Sequence, residues 1–288
     1  MNIYLTDSTL REGLQSPGDS IFRNNEAMVS YALLDAQYGI TDKCEVYMPG
    51  PYIDLESWQR VVHTLGEKSQ IYVGPAHWFN LDKRRELIGR SWPLLSTTLI
   101  YRDSDSISKL GSLSTQTEHS PLRVGLECVS SYSPEATIET IRQVNEQAGV
   151  SIITLSDSNG RMDHVWINDF FYIFNRHGDL PRHLGFHIHN GVRSAVDKAA
   201  HIVLRASQNG LEELNFDTTF LGLGEQLGIL ALHHGVILQG NSEPRMRALK
   251  AFGRRVLEYI NVPQPQINTP HKATSHYDNN GNLRQEYR

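Results

Sequence analysis

The sequence lacks the features that place a chain in a membrane or carry it across one. No apolar run approaches the roughly 20 residues that a spanning helix needs, and the N-terminus has neither the basic nor the apolar part of a signal peptide. We therefore expect a cytoplasmic protein without a membrane partner. Cysteine is scarce as well, because Cys44 and Cys128 are the only two and lack C-x-x-C spacing. This argues against a disulfide framework or a cysteine-rich zinc site.

An excess of positive charge is also missing. The formal net charge is -5 at pH 7, so nothing in the composition favours binding to nucleic acid. Hydrophobic residues make up 39% of the chain and charged residues 20%, which is typical of a globular protein. A chain of 288 residues fits either two ordinary domains or one large α/β barrel. In both cases we expect a small-molecule ligand.

Short apolar runs rich in β-branched residues alternate along the chain with segments of helical periodicity. The runs predict eight strands, which are Ile3–Thr6, Lys43–Met48, Gln70–Gly74, Thr97–Arg102, Arg123–Ser130, Ser151–Asp157, Leu184–His189 and Glu213–Phe220. The helical patterns that follow them are Asn25–Tyr38, Leu55–Leu65, Leu81–Ile88, Ser106–Leu113, Pro134–Ala148, Val165–Arg176, Val192–Ser207 and Glu225–Val236. Strands separated by helices of this length pair in parallel through right-handed crossovers.

Eight repeats of strand and helix predict an α/β protein, a single closed (β/α)8 TIM barrel over residues 1–240. An open doubly wound sheet is the alternative, because it uses the same repeats without closure. We expect residues 241–288 to form a short C-terminal extension. It would contain one helix, Glu243–Tyr259, and a polar irregular tail.

Polar residues stand at the C-terminal ends of the predicted strands, and in a barrel these ends form the active site. His187 and His189 lie at the end of the seventh predicted strand. Side chains at positions i and i+2 of a strand point to the same face, so both imidazoles can reach one point. Two imidazole nitrogens and a carboxylate suit a divalent ion, and Glu12, after the first strand, is the carboxylate we choose. The alternative is a pair of structural histidines that hydrogen-bond to the backbone or to water.

Arg11 and Glu45 form a second group of candidates at this rim. A guanidinium beside a metal suits a substrate carboxylate or an enolate oxygen. Glu45, in the second predicted strand, is placed to pair with Arg11 through two hydrogen bonds and to orient it. The alternative is a salt bridge at the rim without a catalytic part. His77 and Arg102, near the ends of the third and fourth predicted strands, are weaker candidates because each stands alone.

Three segments together resemble a known enzyme family. They are Asp7-Ser-Thr-Leu-Arg-Glu-Gly-Leu-Gln-Ser-Pro-Gly18, Gly185-Phe-His-Ile-His-Asn190 and Asn215-Phe-Asp-Thr-Thr-Phe-Leu-Gly-Leu-Gly-Glu-Gln-Leu-Gly228. Their order, and their positions at strand ends, are similar to those of the metal-dependent barrel enzymes 2-isopropylmalate synthase, homocitrate synthase and 3-hydroxy-3-methylglutaryl-CoA (HMG-CoA) lyase. The resemblance extends from about residue 3 to residue 240.

This resemblance implies a role for each candidate residue. It implies that Arg11 holds the oxo acid or the enolate and that Glu45 positions Arg11. The implied ligands of a divalent metal ion, such as Zn, Mn, Mg or Co, are Glu12, His187 and His189. The implied substrate-binding residues are Gln15, His77 and Ser158. The family also implies a homodimer.

The glutamate after Arg11 is similar to that of homocitrate synthases, and Gln15-Ser-Pro-Gly18 to that of acyl-CoA condensing enzymes. The leading hypothesis is therefore a Claisen-type condensation of an acyl-CoA, in the first instance acetyl-CoA, with a 2-oxo acid. A metal-dependent lyase of the HMG-CoA lyase kind is the second hypothesis. The third is a barrel that binds metal or ligand without turnover. We expect the extension after residue 240 to stand in place of the condensing enzymes' accessory domains, without His271 or His276 supplying their catalytic histidine.

Overall fold

The computed structural model describes residues 1–11, 25–38, 42–47, 54–66, 70–74, 94–99, 107–108, 110, 122–147 and 149–219. The predicted helices Leu81–Ile88, Glu225–Val236 and Glu243–Tyr259, and the tail after them, lie outside these residues. Most of the predicted helix Ser106–Leu113 also lies outside the described residues. The division of the chain at residue 240 therefore stays a prediction.

Eight strands close into a parallel barrel. They are β1 (Asn2–Asp7), β2 (Lys43–Tyr47), β3 (Gln70–Gly74), β4 (Leu94–Leu99), β5 (Leu122–Leu126), β6 (Val150–Asp157), β7 (His183–Ile188) and β8 (Glu213–Thr218). Each strand pairs in parallel with the next along the chain, and β8 pairs in parallel with β1. The predicted TIM barrel is confirmed. The open doubly wound sheet is excluded, because the pairing of β8 with β1 leaves no sheet edge.

The described helices between the strands are α1 (Asn25–Tyr38), α2 (Leu55–Gly66), α3 (Pro134–Asn145), α4 (His164–Phe174) and α5 (Ala195–Gln208). Side-chain oxygens cap the N-termini of the last three, from Ser133, Asp163 and Ser194. Each oxygen accepts a backbone N–H that has no partner within the helix. None of the described helices is long and apolar enough to cross a membrane.

Strand β4 lies three residues earlier than its sequence predicts, at Leu94–Leu99 in place of Thr97–Arg102. The reason is pairing, because Leu94 and Leu95 lie opposite Tyr72 and Val73 of β3. The β-branched pair Thr97 and Thr98 suggested a later start, but partners on both neighbouring strands decide where a strand begins.

The hydrophobic core lies between the strands and the outer helices. One aromatic group in it consists of Phe170, Phe171 and Phe174 of α4, Phe186 of β7 and Phe216 of β8. Neighbouring ring centroids in this group are 5.2 to 6.5 Å apart, a range in which aromatic pairs attract one another. This apolar layer lies outside the strands. The side chains on the opposite face of the strands point into the barrel. They do not belong to this apolar layer, and at the C-terminal end of the barrel they are polar.

Candidate active site

The structure brings several predicted site residues to the C-terminal rim of the barrel. Arg11 follows β1 in a helical turn, Glu45 lies in β2, Ser158 follows β6, His187 lies in β7, and His189 follows β7. The other candidates fall outside the part of the chain that the structure describes, and these are Glu12, Gln15, His77, Arg102, His271 and His276. Their placement and roles stay predictions.

Asp7 builds the turn that carries Arg11. One of its carboxylate oxygens accepts both the N–H and the hydroxyl of Thr9, and the other accepts the Tyr31 hydroxyl at 2.6 Å. The Arg11 N–H donates to the Ser8 carbonyl at 3.0 Å. Burial raises the pKa of Asp7, and these hydrogen bonds counter only part of the rise. The sequence Asp-Ser-Thr therefore fixes the backbone from which Arg11 projects.

Arg11 contacts Glu45 through two nitrogens. Its Nη1 donates to Glu45 Oε1 at 3.4 Å, and its Nε lies 3.4 Å from Oε2. The Arg11 side chain is 15% exposed and that of Glu45 is 2% exposed, so the pair connects the rim with the barrel interior. A guanidinium has five N–H donors, and this contact therefore still allows Arg11 to bind an anion.

Arg123 and Asp217 extend this pair into a buried chain of charges that sequence reasoning missed. Arg123 Nη1 lies 3.2 Å from Glu45 Oε2, and Arg123 Nη2 pairs with Asp217 Oδ2. The same Oδ2 lies 3.1 Å from His187 Nδ1. The chain of contacts runs from β2 through β5 and β8 to β7, and so joins Arg11 to His187.

Arg123 and Asp217 keep each other charged. Burial by itself raises the pKa of Asp217, but the Arg123 guanidinium and the His187 ring outweigh it, and the pKa lies well below its usual value. Burial lowers the pKa of Arg123, whereas Asp217 and Glu45 raise it above its ordinary value. The nearby Tyr72 has its pKa raised to about 12 by burial, so the phenol is neutral beside two ions.

Gly185 and Thr154 make room for the Arg123 side chain. Arg123 Nε donates to Thr154 Oγ1 at 3.1 Å. Gly185 faces this hydroxyl, and a Cβ atom at position 185 would lie 2.4 Å from Thr154 Oγ1. The glycine two residues before His187 is therefore required by the polar packing of the barrel interior.

His187 and His189 turn their Nε2 atoms toward each other, at a separation of 3.0 Å. Asp217 lies against Nδ1 of His187, and a carboxylate there favours the tautomer whose Nε2 lone pair is available to a metal. Two imidazole nitrogens bound at about 2.1 Å and at a right angle are about 3.0 Å apart. The pair therefore fits two adjacent positions of one divalent ion. The same separation also fits a hydrogen bond between the rings.

A third metal ligand is not found among the described side chains. No group of three or more His, Cys, Asp or Glu there is arranged to hold a metal ion. Glu12, the predicted third ligand, lies outside those residues. Its neighbour Arg11 is at the rim.

A cavity of about 50 Å³ opens between these groups, with room for a few water molecules or for part of a small acid. The side chains and backbone that line it come from six strands or their ends, and they are Arg11, Glu45, Arg123, Gly125, Glu127, Thr154, Ser156, Ser158, His187 and Asp217. Two guanidinium groups, three carboxylates and one imidazole thus face a space that also contains hydroxyl groups. The guanidinium and hydroxyl groups are donors that suit the oxygens of a small ligand, whereas the carboxylates balance the charge of the two arginines.

No protein-family model matches the chain. Among solved structures, HMG-CoA lyase from Acinetobacter baumannii in complex with coenzyme A and 3-methylmalate is similar, with a TM-score of 0.67 and 14% identity over 92% of this chain and 93% of that one. The carboxyl transferase domain of Rhizobium etli pyruvate carboxylase is also similar. Its complex with pyruvate has a TM-score of 0.63 and 14% identity, over 93% of this chain and 49% of that one. Its complex with oxamate and biotin has a TM-score of 0.65 and 13% identity, with the same coverage.

The chain thus spans about half the length of the carboxyl transferase structures and nearly the whole length of the lyase. At these identities the likeness establishes the barrel fold. Activity has to be argued from the side chains.

Proposed function

We propose that the chain is a divalent-metal-dependent enzyme that makes or breaks a carbon–carbon bond by way of an enolate. The observation that carries this proposal is the 3.0 Å approach of the His187 and His189 Nε2 atoms on the rim where Arg11 also lies. Solved structures of the same fold hold 3-methylmalate or pyruvate. Each of these acids has an oxygen on the carbon next to a carboxylate, so each offers two oxygens to a metal. We infer a small 2-oxo or 2-hydroxy acid as the substrate.

Each side chain has a defined part in this proposal. Glu12, His187 and His189 would hold the ion, which when bound draws electron density from a carbonyl group as a Lewis acid. Arg11 would donate hydrogen bonds to the oxygen on which negative charge develops. Glu45 would keep the guanidinium turned toward the cavity, because a carboxylate contacting two of its nitrogens fixes its plane.

Substrate binding is proposed for a second set of residues. Ser158 lines the cavity, and its hydroxyl would donate to the substrate carboxylate together with Gln15 and His77. Glu127 lines the same cavity and is the carboxylate we propose as the proton acceptor. A homodimer and an acyl-CoA partner belong to the same proposal, since they follow from the resemblance of the sequence motifs.

Cleavage is the first candidate direction. A base takes the proton of the hydroxyl group of a 3-hydroxy acid or a 4-hydroxy-2-oxo acid, and the carbon–carbon bond breaks. The electron pair of that bond passes to the enolate oxygen beside Arg11, and the enolate carbon then takes up a proton. The likeness to HMG-CoA lyase over 92% of this chain and 93% of that one favours this direction.

Condensation of an acyl-CoA with a 2-oxo acid is the second candidate. The enolate of the thioester attacks the ketone carbon, and water then cleaves the thioester to release the free thiol. The residues Arg11-Glu12 together with Gln15-Ser-Pro-Gly18 favour this direction, because they resemble the condensing enzymes.

Deuterium exchange tests whether an enolate forms in the site, and it does not require the full substrate to be known. The purified chain is incubated in D₂O with Mg²⁺ or Zn²⁺ and with pyruvate or acetyl-CoA, and deuterium in the methyl group is measured by mass spectrometry. We expect exchange that a chelator abolishes and that is lost in His187→Ala and in Arg11→Ala. His183→Gln is the matched control, because His183 lies on the same strand but pairs with Glu213 at 3.1 Å near the start of that strand. Exchange that survives chelation, or no exchange with either substrate, would contradict the proposal.

Product analysis then separates the directions. Free thiol that appears only when an acyl-CoA and a 2-oxo acid are both present would establish condensation. Release of an oxo acid or an acyl-CoA from a single substrate would establish cleavage. Tight binding of metal without product in either assay would favour a non-catalytic barrel.

A further inference from the structure

Lys198 of α5 is a fully buried lysine below the proposed metal site. Its ammonium group donates to Asp157 Oδ2 at 2.6 Å, to the His189 carbonyl at 2.9 Å and to the Gly160 carbonyl at 3.0 Å. The side chains of Lys198 and Asp157 are both 0% exposed. An ammonium group has three N–H donors, so these three acceptors match its full capacity.

These hydrogen bonds join the chain segments that carry the site. Asp157 ends β6, and Gly160 belongs to the turn after it, which also contains Ser158. The second carboxylate oxygen of Asp157 accepts the Ser130 hydroxyl at 2.5 Å and the Met162 N–H at 3.0 Å. One buried ion pair therefore ties together the turns that follow β5, β6 and β7.

The turns after β6 and β7 also touch directly. The Val192 N–H donates to the Gly160 carbonyl at 3.0 Å. A Cβ atom at Gly160 would lie 2.2 Å from the Asn190 carbonyl oxygen, and one at Gly191 would lie 2.1 Å from the Gly160 carbonyl oxygen. Gly160 has φ +67, a conformation that favours glycine. The two backbones are thus close enough for one lysine to hold both.

We propose that Lys198 is a positioning residue for the metal site, which holds the His189 backbone so that its Nε2 meets that of His187. This inference rests on the proposed function. His187 is paired with Ser156 on one side and Asp217 on the other. His189 lies one residue beyond the end of β7, in a single β-bridge, so Lys198 adds a contact to its backbone from outside the strand. The ammonium group supplies this contact in a buried place, where an ionic hydrogen bond is strong.

The choice of variant matters because Asp157 is buried. Removing Lys198 alone leaves a buried carboxylate without its cation and lowers stability for that reason. The double variant Lys198→Gln/Asp157→Asn replaces the ion pair by two neutral amides. A glutamine has only two N–H donors, so it cannot reproduce all three hydrogen bonds. The control is Val61→Ala in α2, because Val61 is fully buried in a helix next to β2 and β3 and takes no part in this cluster.

Co²⁺ binding to the full chain is the first test, measured by calorimetry and by the visible absorption of the bound ion. Groups that hold a metal ligand in place typically contribute roughly ten- to a hundredfold to affinity. We expect the double variant to bind Co²⁺ about tenfold more weakly than the wild type, with an altered absorption band. Val61→Ala should keep both the affinity and the band, although it lowers the melting temperature. Should the double variant not fold, Lys198→Arg takes its place, since it keeps the charge but not the position of the donors.

Hydrogen exchange of the metal-free protein is the second test. We expect peptides that cover residues 186–194 to exchange faster in the double variant than in Val61→Ala. Wild-type Co²⁺ affinity, absorption band and exchange rates in the double variant would overturn this inference and leave the proposed function in place. A wild-type chain that binds no Co²⁺ would overturn the proposed function. Unchanged exchange at residues 186–194 would then overturn the positioning role of Lys198 as well.

Discussion

Replacing Arg123 by methionine removes the cation that lies between two buried carboxylates. Arg123 contacts Glu45 at 3.2 Å, Thr154 at 3.1 Å, and Asp217 through its other terminal nitrogen. The side chains of Glu45 and Asp217 are each 2% exposed, so water cannot replace the guanidinium. Methionine fills a similar volume without any charge. The substitution therefore leaves the packing largely intact and isolates the electrostatic effect.

The size of the stability loss depends on the two carboxylates that stay buried after the guanidinium is removed. Removing one partner of a buried ion pair typically costs about 3–5 kcal/mol, because the other charge is left without compensation. Glu45 keeps Arg11 at 3.4 Å, so most of the cost falls on Asp217. We expect the free energy of unfolding at neutral pH to fall by about 3–5 kcal/mol in Arg123→Met.

The stability difference between Arg123→Met and the wild type should depend on pH, and the pKa of Asp217 gives the direction of that dependence. In the wild type the pKa of Asp217 lies below its unfolded value of about 3.9, so its contribution is present above that value and is lost as the pH falls through the folded pKa. In Arg123→Met the strongest opposing charge is gone, and burial raises the folded pKa above that of the wild type, although the His187 ring and Arg11 still lower it. Asp217 therefore takes up its proton at a higher pH in the variant than in the wild type, and the variant loses less stability on acidification. The difference in stability between variant and wild type should therefore shrink as the pH falls from neutral through the folded pKa of the variant.

Urea unfolding of the metal-free chain, followed by circular dichroism at several pH values, measures this difference. Arg142→Met is the control, because Arg142 lies on the surface of α3 and pairs with Glu139 at 3.1 Å while 46% exposed. It should change the stability by less than about 1 kcal/mol and leave the pH dependence unaltered. A loss below about 1 kcal/mol in Arg123→Met, or a difference that does not shrink on acidification, would refute the reasoning.

Three further substitutions test other parts of the structure. Gly185→Ala places a Cβ atom 2.4 Å from Thr154 Oγ1 and should lower stability by about 1–3 kcal/mol in urea unfolding. Asp217→Asn weakens the support of the His187 ring, and calorimetry should show Co²⁺ affinity reduced roughly ten- to a hundredfold, with no change in His183→Gln. Ser133→Ala removes the cap of α3 and should cost about 1 kcal/mol in the same unfolding assay. Unchanged stability in Gly185→Ala or Ser133→Ala, or unchanged Co²⁺ affinity in Asp217→Asn, would contradict the argument made for that residue.

The order of strands and helices could be predicted because periodicity is a local property of the sequence. Each predicted strand alternates with a helix, and the closed barrel follows from their number and spacing. Exact boundaries could not be predicted in the same way. β4 begins at Leu94 because of its partners on β3, and α5 begins at Ala195 and not at Val192 because Ser194 caps it and Asn190 accepts the Ala195 N–H at 2.9 Å. These contacts join residues that sequence periodicity does not relate.

The position of the rim residues could be predicted, because they have charged or imidazole side chains and lie in short motifs at the ends of predicted strands. Arg123, Asp217 and Lys198 were missed for one physical reason. A single charge in a strand or helix is usually solvated, and only closure of the barrel or packing of α5 on it reveals that the charge is buried. Asp217 lies inside the third motif, directly after Phe216. Its place in a motif that resembles the enzyme family is the signal that could have identified it.

The buried charges also bear on which substrate the proposed site would accept. Arg11 and Arg123 are balanced by Glu45 and Asp217, so this group of four contributes no net charge. A divalent ion on His187 and His189 adds two positive charges, of which Glu12 as third ligand would cancel one and Glu127 on the cavity wall the other. The sum of charges therefore does not select an acid by itself. Under the proposed function, the selection comes from chelation, because a carboxylate and the oxygen on the next carbon offer the ion two ligands, which is why we favour a carboxylic acid over a simple aldehyde or ketone.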